Sequence, residues 1–128
     1  MTNNLNIPAN YQPVMPYLIL KDAAGFIGFM KTVFDAEELQ KIMRDETTIM
    51  HAEIRISGTN TIMLAEATND YPSQNAGLFI YVSDATETYK KALDNGGKAV
   101  TPLAAQSYGL SGGIEDPYGN TWWITSVI

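Results

Sequence analysis

The chain lacks cysteine and is poor in basic residues, with eight Lys and Arg and a single His among 128 residues. Without cysteine there is no disulfide framework, no thiolate zinc site and no cysteine nucleophile, and a cytoplasmic location is expected. The 14 acidic residues bring the formal charge to −6, which excludes a general nucleic-acid binder because such proteins need a basic surface. No apolar run approaches the roughly 20 residues of a bilayer span, so no membrane partner is expected.

The amino-terminal residues differ in composition from the rest of the chain. They lack the Lys or Arg residues with which a secretory signal begins. Their Asn and Pro residues favour neither helix nor strand. We therefore interpret residues 1–13 as a flexible leader and residues 14–128 as one domain. Hydrophobic residues at 45% and charged residues at 17% are ordinary for a folded domain of this length.

The first half of the domain predicts a strand, a helix and three further strands. An apolar run over residues 15–20 predicts a strand, and Asp22 predicts the following helix N-cap. Residues 37–44 fit a continued helix or a strand, and a strand is the interpretation adopted. Alternating residues 47–57 and the run 61–65 predict a hairpin. The helix is indicated by apolar residues at three- and four-residue steps, Phe26, Phe29, Met30, Val33 and Phe34.

The second half shows the same order. Residues 78–82 predict a strand and Asp84 predicts a second N-cap, 62 residues after Asp22. A short strand at 98–100 precedes the Gly- and Ser-rich residues 107–113, which we interpret as a loop and candidate flap, and residues 122–127 predict a closing strand. This order predicts an α+β fold of two βαβββ repeats, at about residues 14–68 and 76–128. A chance likeness between two strand-to-helix junctions is the alternative.

The closing motif carries a resemblance to a known family. Residues 112–122, GGIEDPYGNTW, resemble the terminal signature of the vicinal oxygen chelate superfamily, which includes glyoxalase I, bleomycin-resistance proteins and extradiol dioxygenases. Residues 16–38 resemble the opening of its small bacterial members, and residues 50–54 with 61–64 resemble their next hairpin, so the likeness covers residues 14–127. It implies a glyoxalase-like fold in which the repeats form a curved mixed sheet around a concave cavity. It also implies a homodimer whose partner subunit closes that cavity.

Metal-dependent members of this superfamily place His or Glu ligands on the first and last strands of each half. Carried over to this sequence, the four positions fall at residues 15–17, at residues 63–64, at Leu78 and at Trp123, and none holds a His or a carboxylate. The resemblance therefore implies the scaffold without its metal site, and we expect no metal and no cofactor. A metal site of altered geometry is the alternative, and its ligands would be Glu66, Glu53 and His51.

One predicted strand has a polar and an apolar side. His51, Glu53 and Arg55 alternate with apolar residues that are expected to pack under the helices, Met50, Ala52, Ile54 and Ile56. The polar side would then face the cavity, where His51 and Glu53 bind a ligand or move protons and Arg55 attracts an anion. The alternative is a solvated strand face on which Glu53 and Arg55 compensate each other.

Adjacent residues on a strand point to opposite faces, so Trp122 and Trp123 are expected to separate. By the resemblance Trp123 faces the cavity, where an indole suits stacking of a planar or cationic ligand. We expect Tyr81, Tyr108 and Tyr118 to extend that aromatic surface. The alternative is that Trp123 fills the cavity as core.

The sequence thus predicts metal-independent binding of a small aromatic or hydrophobic molecule in a cavity formed by a homodimer. No catalytic residue is assigned. One alternative function is a metal-dependent lyase, isomerase or dioxygenase with a non-standard ligand set, and another is a structural or regulatory dimer with a collapsed cavity. The predicted ligand-binding residues are His51, Glu53, Arg55, Trp123 and Tyr108.

Overall fold

The computed structural model describes residues 6–127, which form two helices and eight strands. Neither helix in this part of the chain is long and apolar enough to cross a membrane. In chain order the elements are β1 (Tyr17–Leu20), α1 (Ala23–Phe34), β2 (Glu37–Met43), β3 (Ile49–Ile56), β4 (Asn60–Glu66), β5 (Gly77–Tyr81), α2 (Ala85–Asp94), β6 (Lys98–Gln106), β7 (Gly109–Glu115) and β8 (Thr121–Ser126).

The strands form two four-stranded sheets with matching topology, β1-β4-β3-β2 and β5-β8-β7-β6. In each sheet the first strand lies parallel to the last strand of its unit, and the other pairs are antiparallel. An antiparallel bridge between Ile19 and Gln74 links β1 to the segment before β5. The two βαβββ repeats and the α+β class are confirmed, and residues 37–43 are a strand as expected.

Both helices begin where the sequence predicts, and each covers one face of its own sheet. The Asp22 carboxylate accepts from the Gly25 N–H at 3.0 Å, and Asp84 accepts from the Glu87 N–H at 3.1 Å. These bonds satisfy backbone donors that have no partner inside a helix. The apolar stripe of α1 is buried against the first sheet and reaches Trp122, whose ring centroid lies 4.9 Å from that of Phe34.

The predicted flap at residues 107–113 is wrong. Most of this stretch belongs to β7, which pairs with β6 on one side and β8 on the other. Its glycines make room for aromatic rings: a Cβ on Gly112 would lie 2.8 Å from Tyr89 Cε2, and one on Gly113 would lie 3.3 Å from Trp123 Nε1. Glycine here serves close packing rather than mobility.

Two further placements differ from expectation. Met50 is 45% exposed and does not join Ala52, Ile54 and Ile56 in the core, whereas Ile49 is 2% exposed, because a register shift between Ile42 and Met43 of β2 inserts an extra residue in β3 and reverses the alternation there. Tyr118 contributes nothing to the exposed aromatic surface. Its ring packs edge-on against Phe26 and Phe29 of α1.

Candidate functional site

Each sheet has one face covered by its helix and an opposite face, which we call the open face. Strand alternation places Tyr17, His51, Glu53 and Arg55 on the open face of the first sheet, since their neighbours Leu18, Ala52, Ile54 and Ile56 are buried in the core. On the second sheet, Trp122 and Ile124 are buried while Trp123 is exposed. The first open face is therefore polar and the second is aromatic.

Glu53 is the buried charge of the first open face, with 5% of the residue exposed. A buried carboxylate needs hydrogen-bond donors, and it has two. The Tyr11 hydroxyl lies 2.8 Å from Oε1 and 2.7 Å from Oε2, and His51 Nε2 lies 2.9 Å from Oε2. Both donors are side chains, so the protection of this charge depends on two groups that can rotate away.

The hydrogen bonds also assign the tautomer of His51. An ionised carboxylate only accepts, so His51 Nε2 carries the hydrogen that it donates to Glu53. In the neutral ring the other nitrogen, Nδ1, then accepts from the Tyr17 hydroxyl at 3.1 Å. Tyr17, His51 and Glu53 thus form a chain of donors and acceptors that ends on the buried carboxylate.

The residues just before β1 lie across this polar face, and we call residues 10–12 the strap. The Gln12 side chain donates to the Thr61 carbonyl at 2.8 Å and accepts from the Thr61 N–H at 3.2 Å. Thr61 Oγ1 donates to the Asn10 carbonyl. The Tyr11 phenol completes the strap over Glu53, and its pKa is raised mainly because Glu53 accepts its hydrogen bond.

Arg55 does not neutralise Glu53 in the way the alternative interpretation holds. Its Nη2 lies 3.3 Å from Oε1 of Glu37 on β2, and its Nη1 donates to Asn10 Oδ1 of the strap at 3.0 Å. Its Nε is buried and has no hydrogen-bond partner among residues 6–127. The two charges of the strand thus have separate partners.

The second open face carries four exposed aromatic residues, which we call the aromatic wall: Phe79, Tyr81, Tyr108 and Trp123. They are 51%, 57%, 51% and 39% exposed. The ring of Phe79 lies 5.2 Å from Tyr81 and 6.0 Å from Tyr108, and Phe79 is the register partner of Trp123. Clustered exposed aromatic surface of this kind marks an interaction site more often than isolated exposed residues do.

Glycines on both neighbouring strands explain how Trp123 lies on the sheet. A Cβ on Gly77 would stand 3.1 Å from the indole, and one on Gly113 would stand 3.3 Å from it. The indole therefore rests on bare backbone. Trp122, by contrast, is 1% exposed and donates from Nε1 to Asp116 at 2.8 Å, so the two tryptophans separate as predicted.

A groove of about 440 Å³ runs between the two halves. Gln12 of the strap and Phe79 and Tyr81 of the aromatic wall line it, whereas none of the five predicted ligand-binding residues does. A second cavity of about 270 Å³ lies beside Tyr17 and Ile19 on the first sheet. Both are large enough for a small organic molecule.

The positions that hold metal ligands in related folds do not fit a divalent cation here. Met63 and Phe79 face outward at the corresponding strand positions, while Leu64 and Leu78 lie toward the helices. Glu66 accepts from the Asp22 and Ala23 N–H groups at 2.8 and 3.0 Å, so it serves the start of α1. Across residues 6–127 no three His, Asp or Glu side chains come together as a ligand set.

Sequence reasoning missed three residues of this site. Phe79 has the same strand parity as Tyr81, a signal that could have found it. Tyr17 was considered only as a lost metal-ligand position, although its hydroxyl binds His51. Tyr11 gave no local signal, because its partner Glu53 is 42 residues away.

A family model described as the Glyoxalase/Bleomycin resistance protein/Dioxygenase superfamily matches residues 12–124. An uncharacterized protein of Mycobacterium bovis is 31% identical over 129 residues, covering 88% of this chain and 82% of that protein. TioX from Micromonospora sp. ML1 has a similar structure, with TM-score 0.75, 19% identity and coverage of 91% of this chain and 99% of that one. The fosfomycin resistance protein FosX from Listeria monocytogenes gives TM-score 0.71 at 16% identity, covering 91% and 94%. At these identities the two structures establish the fold alone.

Proposed function

This chain belongs to the Glyoxalase/Bleomycin resistance protein/Dioxygenase superfamily, and on that basis we propose that it binds a small aromatic or hydrophobic molecule without a metal ion. The aromatic wall is the observation that carries the proposal. Trp123 offers a flat indole on bare backbone, with Phe79 in register beside it. A planar ligand stacked there gains apolar burial together with ring-to-ring contact.

The chemistry of the positions discussed for metal ligands supports the metal-independent form of this proposal. An indole, a phenylalanine ring and a thioether do not hold a hard cation. His51 and Glu53 are bonded to each other and to tyrosine hydroxyls, and Glu66 is bonded to the start of α1. A cation would have to break these bonds.

The proposal includes a second copy of the chain. Three of the four residues of the aromatic wall are more than half exposed, and burying such a face favours association. The groove between the halves is open on one side, and a partner subunit would enclose it. Sedimentation equilibrium should give twice the chain mass, whereas a monomer at all concentrations would contradict this part of the proposal.

Binding is tested with 2-methoxynaphthalene, a planar probe without a hydrogen-bond donor, by calorimetry in the presence of a chelator. We expect binding to wild type and a roughly tenfold loss of affinity in Trp123→Ala, since stacking and burial together supply about 1.4 kcal/mol or more. Leu93→Ala is the control, because Leu93 is exposed on α2 and lies outside the wall and both cavities. Equal affinity in wild type and Trp123→Ala would contradict the proposal.

The same calorimeter tests the alternative of a metal-dependent lyase, isomerase or dioxygenase. Nickel, manganese, zinc and iron are titrated separately into chelator-treated protein. Our proposal predicts no tight stoichiometric site. Tight 1:1 uptake that is lost in His51→Ala or Glu53→Ala would favour the enzyme instead.

A further inference from the structure

Glu53 accepts a hydrogen bond from the phenol of Tyr11 in its own chain. This contact indicates what kind of ligand the polar face recognises. We propose that Glu53 and His51 form a recognition point for a neutral aromatic hydroxyl, that Tyr11 occupies this point in the free protein, and that a ligand hydroxyl takes its place. The inference rests on the proposed function and adds the ligand's chemical class. The Tyr11 side chain is an alkyl phenol and therefore has the same functional group as the proposed ligand.

The acceptor chemistry of the site defines this class. The ionised Glu53 can only accept hydrogen bonds, and His51 already donates one to Oε2. A group that replaces Tyr11 must therefore bring its own hydrogen. A carboxylate or an ionised phenol would face the buried negative charge without a donor, which is unfavourable. A neutral hydroxyl on a ring satisfies the carboxylate as Tyr11 does.

The strap is held by bonds that can be exchanged. Those joining it to the sheet involve the side chains of Gln12, Thr61, Arg55 and Glu53, and no ladder of backbone hydrogen bonds continues β1 into residues 10–12. The buried Arg55 Nε beside Asn10 also lacks an acceptor among residues 6–127. A donor left unpaired in a buried position is costly, and it suits a surface whose occupant changes.

The strap also lies at the junction between the two faces of the site. Tyr11 covers Glu53, and the next residue, Gln12, lines the groove together with Phe79 and Tyr81. Moving the strap would therefore uncover Glu53 and alter one wall of the groove at once. In the proposed complex the ligand's ring stacks on the aromatic wall while its hydroxyl bonds to Glu53.

The test compares two probes with the same ring system by calorimetry at neutral pH: 2-naphthol, and 2-methoxynaphthalene, in which a methyl group replaces the hydroxyl hydrogen. In wild type the ligand hydroxyl replaces the Tyr11 hydroxyl at Glu53, so one hydrogen bond is exchanged for another and the two affinities should be similar. In Tyr11→Phe the competing hydroxyl is absent, so 2-naphthol affinity should rise about fivefold, the ratio that one net hydrogen bond supplies, while that of 2-methoxynaphthalene stays constant. Tyr118→Phe is the control and should change neither affinity, since Tyr118 packs against α1.

A second readout follows the recognition point itself in wild type. The His51 Nε2–H resonance should shift on addition of 2-naphthol and stay in place with 2-methoxynaphthalene, since only the former competes at Glu53. Equal affinities of the two probes in Tyr11→Phe, or an equal gain for both on that substitution, would overturn the inference. If both probes then still lost affinity in Trp123→Ala, the proposed function would stand without it. If neither probe bound, both proposals would fail.

Discussion

Among residues 6–127 each half of the molecule buries one carboxylate side chain, and the two carboxylates differ in their hydrogen-bond donors. Asp116, 2% exposed, accepts from the backbone N–H groups of Tyr118 and Asn120 and from the Trp122 indole. Glu53, 5% exposed, accepts from the side chains of Tyr11 and His51 and from no backbone N–H group among residues 6–127. Backbone donors of a tight turn cannot leave without unfolding it, whereas side chains can rotate. Asp116 is thus part of the scaffold, whereas Glu53 has the exchangeable partners that our proposed site requires.

The open faces of the two sheets also differ in their chemistry. Both sheets have the same strand order, but the first open face is polar and crossed by the strap, while the second is aromatic and uncovered. A duplicated scaffold therefore supplies two chemically unlike surfaces at no cost to its topology. Fold and site chemistry vary independently here.

The largest expected effect comes from removing the scaffold carboxylate. Asp116→Ala should lower the free energy of unfolding by about 4 kcal/mol, since it leaves several buried donors unpaired. Glu53→Ala should cost only about 1 kcal/mol, because Tyr11 can turn to water. Urea unfolding measures both, with the exposed Asp94→Ala as control. Similar losses for Asp116→Ala and Glu53→Ala would contradict the distinction between the two carboxylates.

An intermediate effect of opposite sign is expected from one glycine in each half. Gly28→Ala should raise the free energy of unfolding by about 0.5–1 kcal/mol, because α1 gains a better helix former and a Cβ there meets nothing within 4 Å. Gly113→Ala should lower it by about 1 kcal/mol, since the Cβ would stand 3.0 Å from Thr101 Oγ1 and lift Trp123.

Thermal unfolding of the two glycine variants measures whether each substitution raises or lowers stability. The Gly113→Ala variant should also bind 2-methoxynaphthalene more weakly, because its indole no longer rests on the backbone. A stable Gly113→Ala variant with unchanged probe affinity would show that the glycines are not what seats Trp123.

The smallest effect appears at alkaline pH. Burial, together with the charges of Asp22 and Asp116, raises the pKa of Tyr118, and the bond to Glu53 raises that of Tyr11. A raised phenol pKa contributes stability that is present below the unfolded value of 10.0 and is lost as pH rises through the folded value. Tyr118→Phe keeps the contacts with Phe26 and Phe29, so it should flatten the loss of stability above pH 10. Urea midpoints between pH 8 and 11 measure it, and a profile as steep as that of wild type would contradict it.

Features set by neighbouring residues were predictable, and features set by close packing were not. Asp22 and Asp84 act within one helical turn, so the sequence alone located both helix starts. Residues 107–113 were misread because glycine and serine also occur in loops. In the structure the glycines accommodate Tyr89 and Trp123, which approach from other elements. Nothing local distinguishes these two uses of glycine.

Both helices, the strands of the first half, the duplication and the separation of Trp122 from Trp123 could be predicted from the sequence, because helical and strand periodicities act over a few residues. Tertiary packing is what places the 107–113 stretch in β7, Tyr11 over Glu53, Arg55 beside Glu37, and Tyr118 under α1. Two of the three side-chain contacts join elements distant in the chain, and all of these placements depend on strand register and chain path, which no local preference encodes.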